Sequence, residues 1–255
     1  MQVRGKLDRG LHIARHGGMA TQIERLGKWL LGAAILWGMV SVTEVYVAYW
    51  PRVMDLPTAV VALDRAHGSQ PVALGHVSPW LPQALIATED RTFYTNLGIS
   101  VRGILRALWV DVTTGHLAEG GSTLTQQLVR DRILGLERTF RRKIEEALLA
   151  LLVTAVYSKR EILTMYLNQV YLGQGAYGIW AAARVYFDRS PDRLTLAESA
   201  LLAGLPQAPS ALDPLVHYER ARRREWEVLQ SMVETGVISR SRARKAFQAP
   251  LGLVR

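Results

Sequence analysis

The 255-residue sequence contains no cysteine, which excludes disulfide bonds, thiolate nucleophiles and zinc–sulfur centres together while leaving the compartment open. It has no internal repeat and no low-complexity tract. Its six histidines lack metal-ligand spacing, so no zinc motif can be built from them. Neither a Ser-x-x-Lys tetrad nor a Lys-Thr-Gly triplet occurs, which removes the serine acyl-transfer centre that uses them. Acidic residues are the minority, 22 against 31 lysines and arginines, for a net charge of +9. That excess implies an anionic partner: nucleic acid, an acidic membrane surface or a phosphate-bearing substrate. Charge alone does not choose among them. The length suits one domain of ordinary size plus an anchoring segment.

Residues 29–43 (WLLGAAILWGMVSVT) carry no charge, and apolar character resumes after Glu44 as VYVAYW. The stretch between Lys28 and Arg52 has about the 20 residues that a helix needs to cross a bilayer. Trp29, Tyr46, Tyr49 and Trp50 lie towards its ends, where aromatic rings favour the interface. Arg4, Lys6, Arg9, Arg15, Arg25 and Lys28 precede it against only Asp8 and Glu24. The positive-inside rule then places the N-terminus in the cytoplasm and everything after Trp50 outside. Glu44 is near enough to the outer end to reach the headgroups. The alternatives are a cleaved signal peptide and a buried core helix. No small-x-small cleavage site follows the run, which is also long for a signal sequence. The chain is therefore read as a cytoplasmic basic tail (1–28), an uncleaved single-pass anchor (29–50) and one exported domain (53–255).

Within that domain, short β-branched pieces at 58–63 and 71–77 flank His67-Gly68-Ser69 and predict a small extended element. From Ser78 the pattern is helical. Ser78-Pro79 opens a segment to Glu89 with proline at the first helical position. Ser100 caps a second to about Thr113, and Thr123 with Gln126 forms a capping box for a third. Thr139 starts a long helix to about Tyr157. Ser158 with Glu161 and Thr195 with Glu198 box two more. Helices over 217–235, stopped by Gly236, and over 239–247 follow. Residues 147–155 are apolar nearly all round, which predicts a buried central helix too short to span a membrane. The fold class is mainly α.

Three places carry chemistry. Glu89-Asp90 ends the helix ALIATED. A carboxylate pair at a helix C-terminus meets the negative end of the dipole and like-charge repulsion, which suits a general base or acid. The plainer alternative is a turn cap at Asp90 beside a solvated Glu89. The run EGGSTLTQQLVRDR joins a flexible Gly120-Gly121 entry to a helix start rich in hydroxyls and amides. Its free N–H groups with Ser122, Thr123, Gln126 and Gln127 form an anion seat, with Arg130 and Arg132 further on. Otherwise it is an ordinary capped helix. Arg142, Lys143 and Glu146 line one side of the next helix, as a functional cluster or as a simple ion pair. Two separated glutamates, a hydroxyl-rich seat and clustered arginines together suggest glycosyl transfer with a phosphate leaving group. Trp80, Trp109, Trp180 and Trp226 read as packing or interfacial residues. Arg220 to Arg224 read as a solvated helical face that touches anionic lipid.

TEDRTFYTNLGIS, GGSTLTQQLVRD, RRKIEE, YSKREILTMYLNQVYLGQGAYGIWAAARVYF and LAESALLAGLPQAPSALDP occur in an order and spacing similar to those of the family-51 glycosyltransferases. These are the peptidoglycan glycosyltransferases, found alone or fused to penicillin-binding transpeptidases. The resemblance covers about 76–245, and the TEDRTFY and STLTQQLV wording looks closest to class A bifunctional enzymes of the 1b type. It implies a lysozyme-like helical domain with a membrane-dipping jaw and a cleft for lipid II, which is polymerised into glycan strands with release of undecaprenyl pyrophosphate. Glu89 matches the catalytic base, with Asp90 and Phe93 completing its motif. Ser122, Thr123, Gln126, Gln127 and Arg130 match the motif that holds donor sugar and pyrophosphate. Glu146 matches a second essential carboxylate, with Arg142 and Lys143 near the departing pyrophosphate. Lys159, Tyr166 and Asn168 match a chiefly architectural motif. No cofactor is required, although some members of the family place a divalent cation, Mg²⁺ or Mn²⁺, at the pyrophosphate.

The implied partners are lipid II, the growing strand, the membrane, and transpeptidases or division and elongation proteins, with no nucleic acid. The implied location is the bacterial inner membrane with the catalytic domain outside. Three positions depart from the family pattern: Asn96 stands for its histidine, Arg130-Asp131 for Lys-Asn, and Thr154 for a common glutamate. Arginine keeps the charge and gains a fork for phosphate. Asn96 can donate and accept hydrogen bonds but cannot become a cation, so activity survives if that side chain braces a loop and falls if its charge matters. A lytic relative on the same fold and a non-enzymatic scaffold are the competing readings. The basic cleft and full motif set favour the transferase, either monofunctional or part of a longer enzyme.

Overall fold

The computed structural model describes the backbone of residues 4–100, 103, 121–135 and 139–254. It falls into two units, one up to Ala48 and one from Tyr49 onward. The first consists of most of α1 (Arg4–Met54). Within it the segment Glu24–Met54 has a window of mean hydropathy 1.7 and is long and apolar enough to cross a membrane, the one such helix among the described residues. Trp29, Leu30, Leu31, Ile35, Leu36 and Trp37 along it are exposed, as expected of a helix whose solvent is lipid.

The second unit is helical. Among the described residues the only β contact is an isolated antiparallel bridge between Tyr171 and Tyr177. Its elements are α2 (Leu56–Ala66), α3 (Trp80–Glu89), α4 (Leu124–Val129), α5 (Phe140–Val156), α6 (Lys159–Gln169), α7 (Gly178–Phe187), α8 (Leu196–Gly204), α9 (Tyr218–Glu234) and α10 (Arg240–Gln248). The anticipated capping boxes form at Thr123/Gln126, Ser158/Glu161 and Thr195/Glu198, and the Thr139 hydroxyl caps α5. Ser100 accepts from the Gly103 N–H, the start expected of a cap; the rest of the helix anticipated to Thr113 lies outside the described residues, as does Trp109.

The central buried helix is α8, not α5. Every residue from Leu196 to Gly204 is buried, and α3 and α9 pack against it. Leu81 and Leu85 of α3 and Val228, Leu229 and Met232 of α9 are buried in the same core, each fully buried side chain stabilising it by roughly 1.5–3 kcal/mol. Within 147–155 of α5 only the stripe Leu149, Ala150 and Val153 is buried, while Ala155 is exposed. An all-apolar run therefore misled: composition does not report which face has a partner.

Two more differences have local causes. Residues 58–63 are helical, because Pro57 pre-sets the first turn of α2 and Leu56, Val60 and Asp64 bury one face at helical spacing. No start signal announced α7. Its N-cap, Tyr177, makes no side-chain cap bond, and the helix is entered through Gly173, Gly175 and Gly178, all at positive φ. At Gly178 (φ +76) a Cβ would stand 2.5 Å from the Asn168 carbonyl oxygen, so glycine is required there on two counts. Pro79 is the N-cap of α3 rather than its first residue.

Asp64 is 0% exposed, and neither of its carboxylate oxygens makes a well-formed hydrogen bond. Burial pushes its carboxyl up to about 6, with the nearby Ser69 hydroxyl offsetting part of the effect. A raised carboxyl pKa in the folded state means the cost of ionisation is fully present above pH 6 and vanishes as pH falls to the unfolded value. Asp64→Asn is therefore expected to exceed the wild type in stability at pH 8 by on the order of 2–3 kcal/mol, the gap closing by about pH 4. Thermal unfolding of the full chain across that range measures it.

Candidate active site

The site is built around α4, whose six residues run on into a π-helical turn, Arg130–Leu134, closed by Gly135 at φ 84. The loop after α3 is stapled to the start of α4. Asp90, the C-cap of α3, accepts the Leu124 N–H (3.3 Å), and the Thr123 hydroxyl donates to the Gly98 carbonyl (2.6 Å). Gly98 (φ +98) lies so close to α5 that a Cβ would stand 2.3 Å from the Ala150 carbonyl oxygen.

Glu89 and Glu146 are gripped by successive residues of α4. Gln127 Nε2 donates to Glu89 Oε2 at 3.0 Å, and Gln126 Nε2 donates to Glu146 Oε1 at 3.2 Å. The amide orientations are not free. Gln126 Oε1 accepts the Thr123 N–H within the capping box, and Gln127 Oε1 accepts the Tyr166 hydroxyl at 2.9 Å. Tyr166 is completely buried. Burial and the Glu89 charge raise its pKa well above the ordinary value, so it stays a donor.

Glu146 is 1% exposed and pairs with Lys143, whose side chain is 48% exposed. Lys143 also donates to Ser122 Oγ at 2.9 Å, linking the buried carboxylate to the surface. Glu146 Oε2 has no hydrogen-bond partner. Arg130 pairs with its neighbour Asp131 (2.8 Å). Burial opposes its charge, but the Asp131 hydrogen bond and charge, with the Glu146 charge, outweigh it and raise its pKa. Arg142 donates to the Gly135 carbonyl.

Asn96 bridges Asp90 and Lys159. Its Nδ2 donates to both Asp90 oxygens (2.9 and 3.2 Å), and its Oδ1 accepts from Lys159 Nζ and the Gly98 N–H, both at 2.9 Å. Lys159 lies 4.9 Å from the centroid of the Phe93 ring, which is fully buried. Burial raises the Asp90 pKa despite bonds from Asn96, Leu124 and Thr92. It lowers that of Lys159, with the Asp90 charge opposing.

The twelve candidate residues thus divide by place. Asp90, Phe93, Thr123, Gln126 and Glu146 are buried, while Glu89, Asn96, Ser122, Gln127, Arg130, Arg142 and Lys143 keep partial or full exposure. Three N–H groups of the anion seat expected at the α4 N-terminus are taken: those of 123, 124 and 126 bond Gln126, Asp90 and Thr123. The cations on α5 and at Arg130 are the remaining anion-binding groups. Two surface hollows, of about 360 and 280 Å³, are lined by Trp226, Gln230 and Arg244 and by Pro82, Ile86 and Tyr94, and neither includes a candidate residue. Arg224 corrects an expectation: it is no solvated residue but reaches Glu89 Oε1 at 3.5 Å, both side chains 16% exposed. Nothing in the local pattern of α9 could have revealed this, because the contact spans 135 residues.

Comparison with known proteins follows the same residues. A sequence-family profile described as Transglycosylase matches residues 57–233. Penicillin-binding protein 1A of Escherichia coli is 41% identical over 221 residues, which cover 82% of this chain and 26% of that protein. A Cupriavidus necator protein provisionally named a transglycosylase is 44% identical over 78% of this chain and 86% of its own. A crystal structure of penicillin-binding protein 1A from Haemophilus influenzae is 28% identical, covers 72% of this chain and 18% of that one, and superposes with a TM-score of 0.45. This chain spans about a quarter of the Escherichia coli relative. With the profile covering residues 57–233, more than half of the sequence, and the two gripped carboxylates inside it, the chain belongs to the transglycosylase family.

Proposed function

We propose that this chain is a peptidoglycan glycosyltransferase that polymerises lipid II into glycan strands at the outer face of the cytoplasmic membrane. The observation that carries the reading is the gripping of Glu89 and Glu146 by adjacent amides of α4, with Lys143, Ser122 and Arg130 around the second carboxylate. Glu89 takes the proton from the acceptor sugar's 4-hydroxyl as that oxygen bonds to the anomeric carbon of the growing chain. The bond from that carbon to the pyrophosphate oxygen breaks, and the lipid pyrophosphate departs with the bonding pair. Lys143 and Arg130 stabilise the charge it gains, and Arg142 stands at the same helix start. Glu146 holds Lys143 in place for that purpose.

A divalent cation is compatible with this set. Among the described residues no group of three or more His, Asp or Glu could hold one. Mg²⁺ needs only one or two carboxylates when phosphates complete its shell, and Glu146 Oε2 is an unpartnered buried oxygen. When bound, the ion would neutralise pyrophosphate charge beside Lys143. In the same reading α1 is the anchor, with its basic N-terminal arm in the cytoplasm. The strands made are substrates for cross-linking transpeptidases, and division or elongation proteins are the expected partners.

Full-length protein incubated with labelled lipid II is expected to yield polymer. Cleavage of preformed glycan would mark a hydrolase, and binding without turnover a scaffold. Glu89→Gln is expected to lower the rate by about 10²–10⁴-fold, as loss of a general base does, and an active Glu89→Gln protein would reject the assigned base. Asn96 meets its demands as a neutral brace, so turnover does not need a cation there. Asn96→Leu removes the amide bonds to both oxygens of the buried Asp90 carboxylate and leaves it only those from Leu124 and Thr92, at a cost of about 1–3 kcal/mol, which should lower the thermal midpoint by roughly 3–10 °C. An unchanged midpoint would contradict the brace.

A further inference from the structure

Glu89 is held asymmetrically. Oε2 takes a bond from Gln127 at 3.0 Å, whereas Oε1 faces Arg224 Nη2 at the longer 3.5 Å. Each guanidinium nitrogen of Arg224 has a different partner: Nε donates to the Gly204 carbonyl (3.3 Å), Nη1 to Glu227 (3.0 Å) and Nη2 to Glu89. The side chain reaches this position by lying across Gly204, the last residue of α8. A Cβ there would stand 2.7 Å from Arg224 Cγ and 3.4 Å from Val228 Cγ2. The missing side chain at 204 and the direction of Arg224 are therefore one feature. The charged and titratable groups facing Glu89 are Arg224, backed by Glu227, from α9, Tyr166 from α6, and its own neighbour Asp90.

We propose that Arg224, carried over Gly204, is a positioning residue for Glu89, so that Gln127 pins Oε2 while Oε1 is the oxygen that receives the acceptor proton. The bond Gln127 makes is of ordinary length and better formed than the Arg224 contact, and its amide is locked by Tyr166, so Oε2 is the oxygen that is pinned. Arg224 presents a cation to Oε1 at a distance that holds the carboxylate's rotation yet leaves the oxygen able to bind a proton. When the acceptor hydroxyl delivers that proton, Glu89 loses its charge. Glu227 and the Gly204 carbonyl keep the guanidinium in place for the return to the ionised state. Glu227 is 61% exposed and free to follow small movements.

The inference rests on the glycosyltransferase reading, and the test separates the two. Full-length wild type, Arg224→Gln, Arg224→Lys and Gly204→Ala are assayed with lipid II across pH. Arg224→Gln should lower kcat roughly 10–100-fold with KM within about twofold, and move the acid limb of kcat/KM upward, because an opposite charge nearby favours an ionised carboxylate. Arg224→Lys should lie between it and the wild type. Gly204→Ala, which keeps the arginine but displaces it, should shift the limb in the same direction by less. A wild type without polymer would sink the functional reading itself. A polymerising wild type whose Arg224→Gln variant keeps the same acid limb overturns the positioning role, even if kcat falls. Should Arg224→Gln fail to fold, as judged by circular dichroism, a Gly204→Ala protein with wild-type rate and limb overturns it equally.

Discussion

A side-chain amide has one accepting end and one donating end, and on α4 the accepting ends of two successive glutamines are already committed. Gln126 uses its oxygen to close the capping box on Thr123, and Gln127 uses its oxygen for the Tyr166 hydroxyl. Their donating ends are thereby aimed at Glu146 and Glu89. A helix-starting device and a buried tyrosine thus become the means by which two acidic groups are held. Either glutamine could rotate about its terminal bond in isolation, but each rotation would leave a buried donor or acceptor unpaired, at about 1–3 kcal/mol.

The same economy of contacts appears one layer below. Asp90, Asn96 and Lys159 form a chain of alternating acceptor, amide and cation, in which the neutral Asn96 lets a carboxylate and an ammonium share one bridge. Buried polar networks are costly when partly satisfied and rigidifying when complete. Here the network is complete enough to fix the 90–98 loop between α4 and α5, which in turn fixes where α3 ends and where Glu89 points. Stability and chemistry meet in the same bonds.

Charge in the site has a comparable order. The N-terminal amides of α4 are turned inward to Asp90 and the cap, so the anion-attracting groups left are side chains: Lys143 beside Glu146, Arg130 beside Asp131, and Arg142 at the start of α5. Each has a local anionic or carbonyl partner that orients it. Cations so paired lose little freedom when an anion binds, and the site has less ordering entropy to supply.

Much was legible from the chain alone. The three capping boxes, the apolar segment near the N-terminus and the helical character were determined by patterns within about ten residues, since caps and hydrophobic periodicity act locally. Tertiary structure decided what depends on partners distant in sequence. It made α8 rather than α5 the buried helix, filled the N-terminus of α4 with Asp90, and turned Asn96 into a brace. It also brought Arg224 across Gly204 to Glu89. Burial and pairing are properties of the packed molecule. No local pattern states which face of a helix will find a neighbour, or which distant side chain will meet a carboxylate.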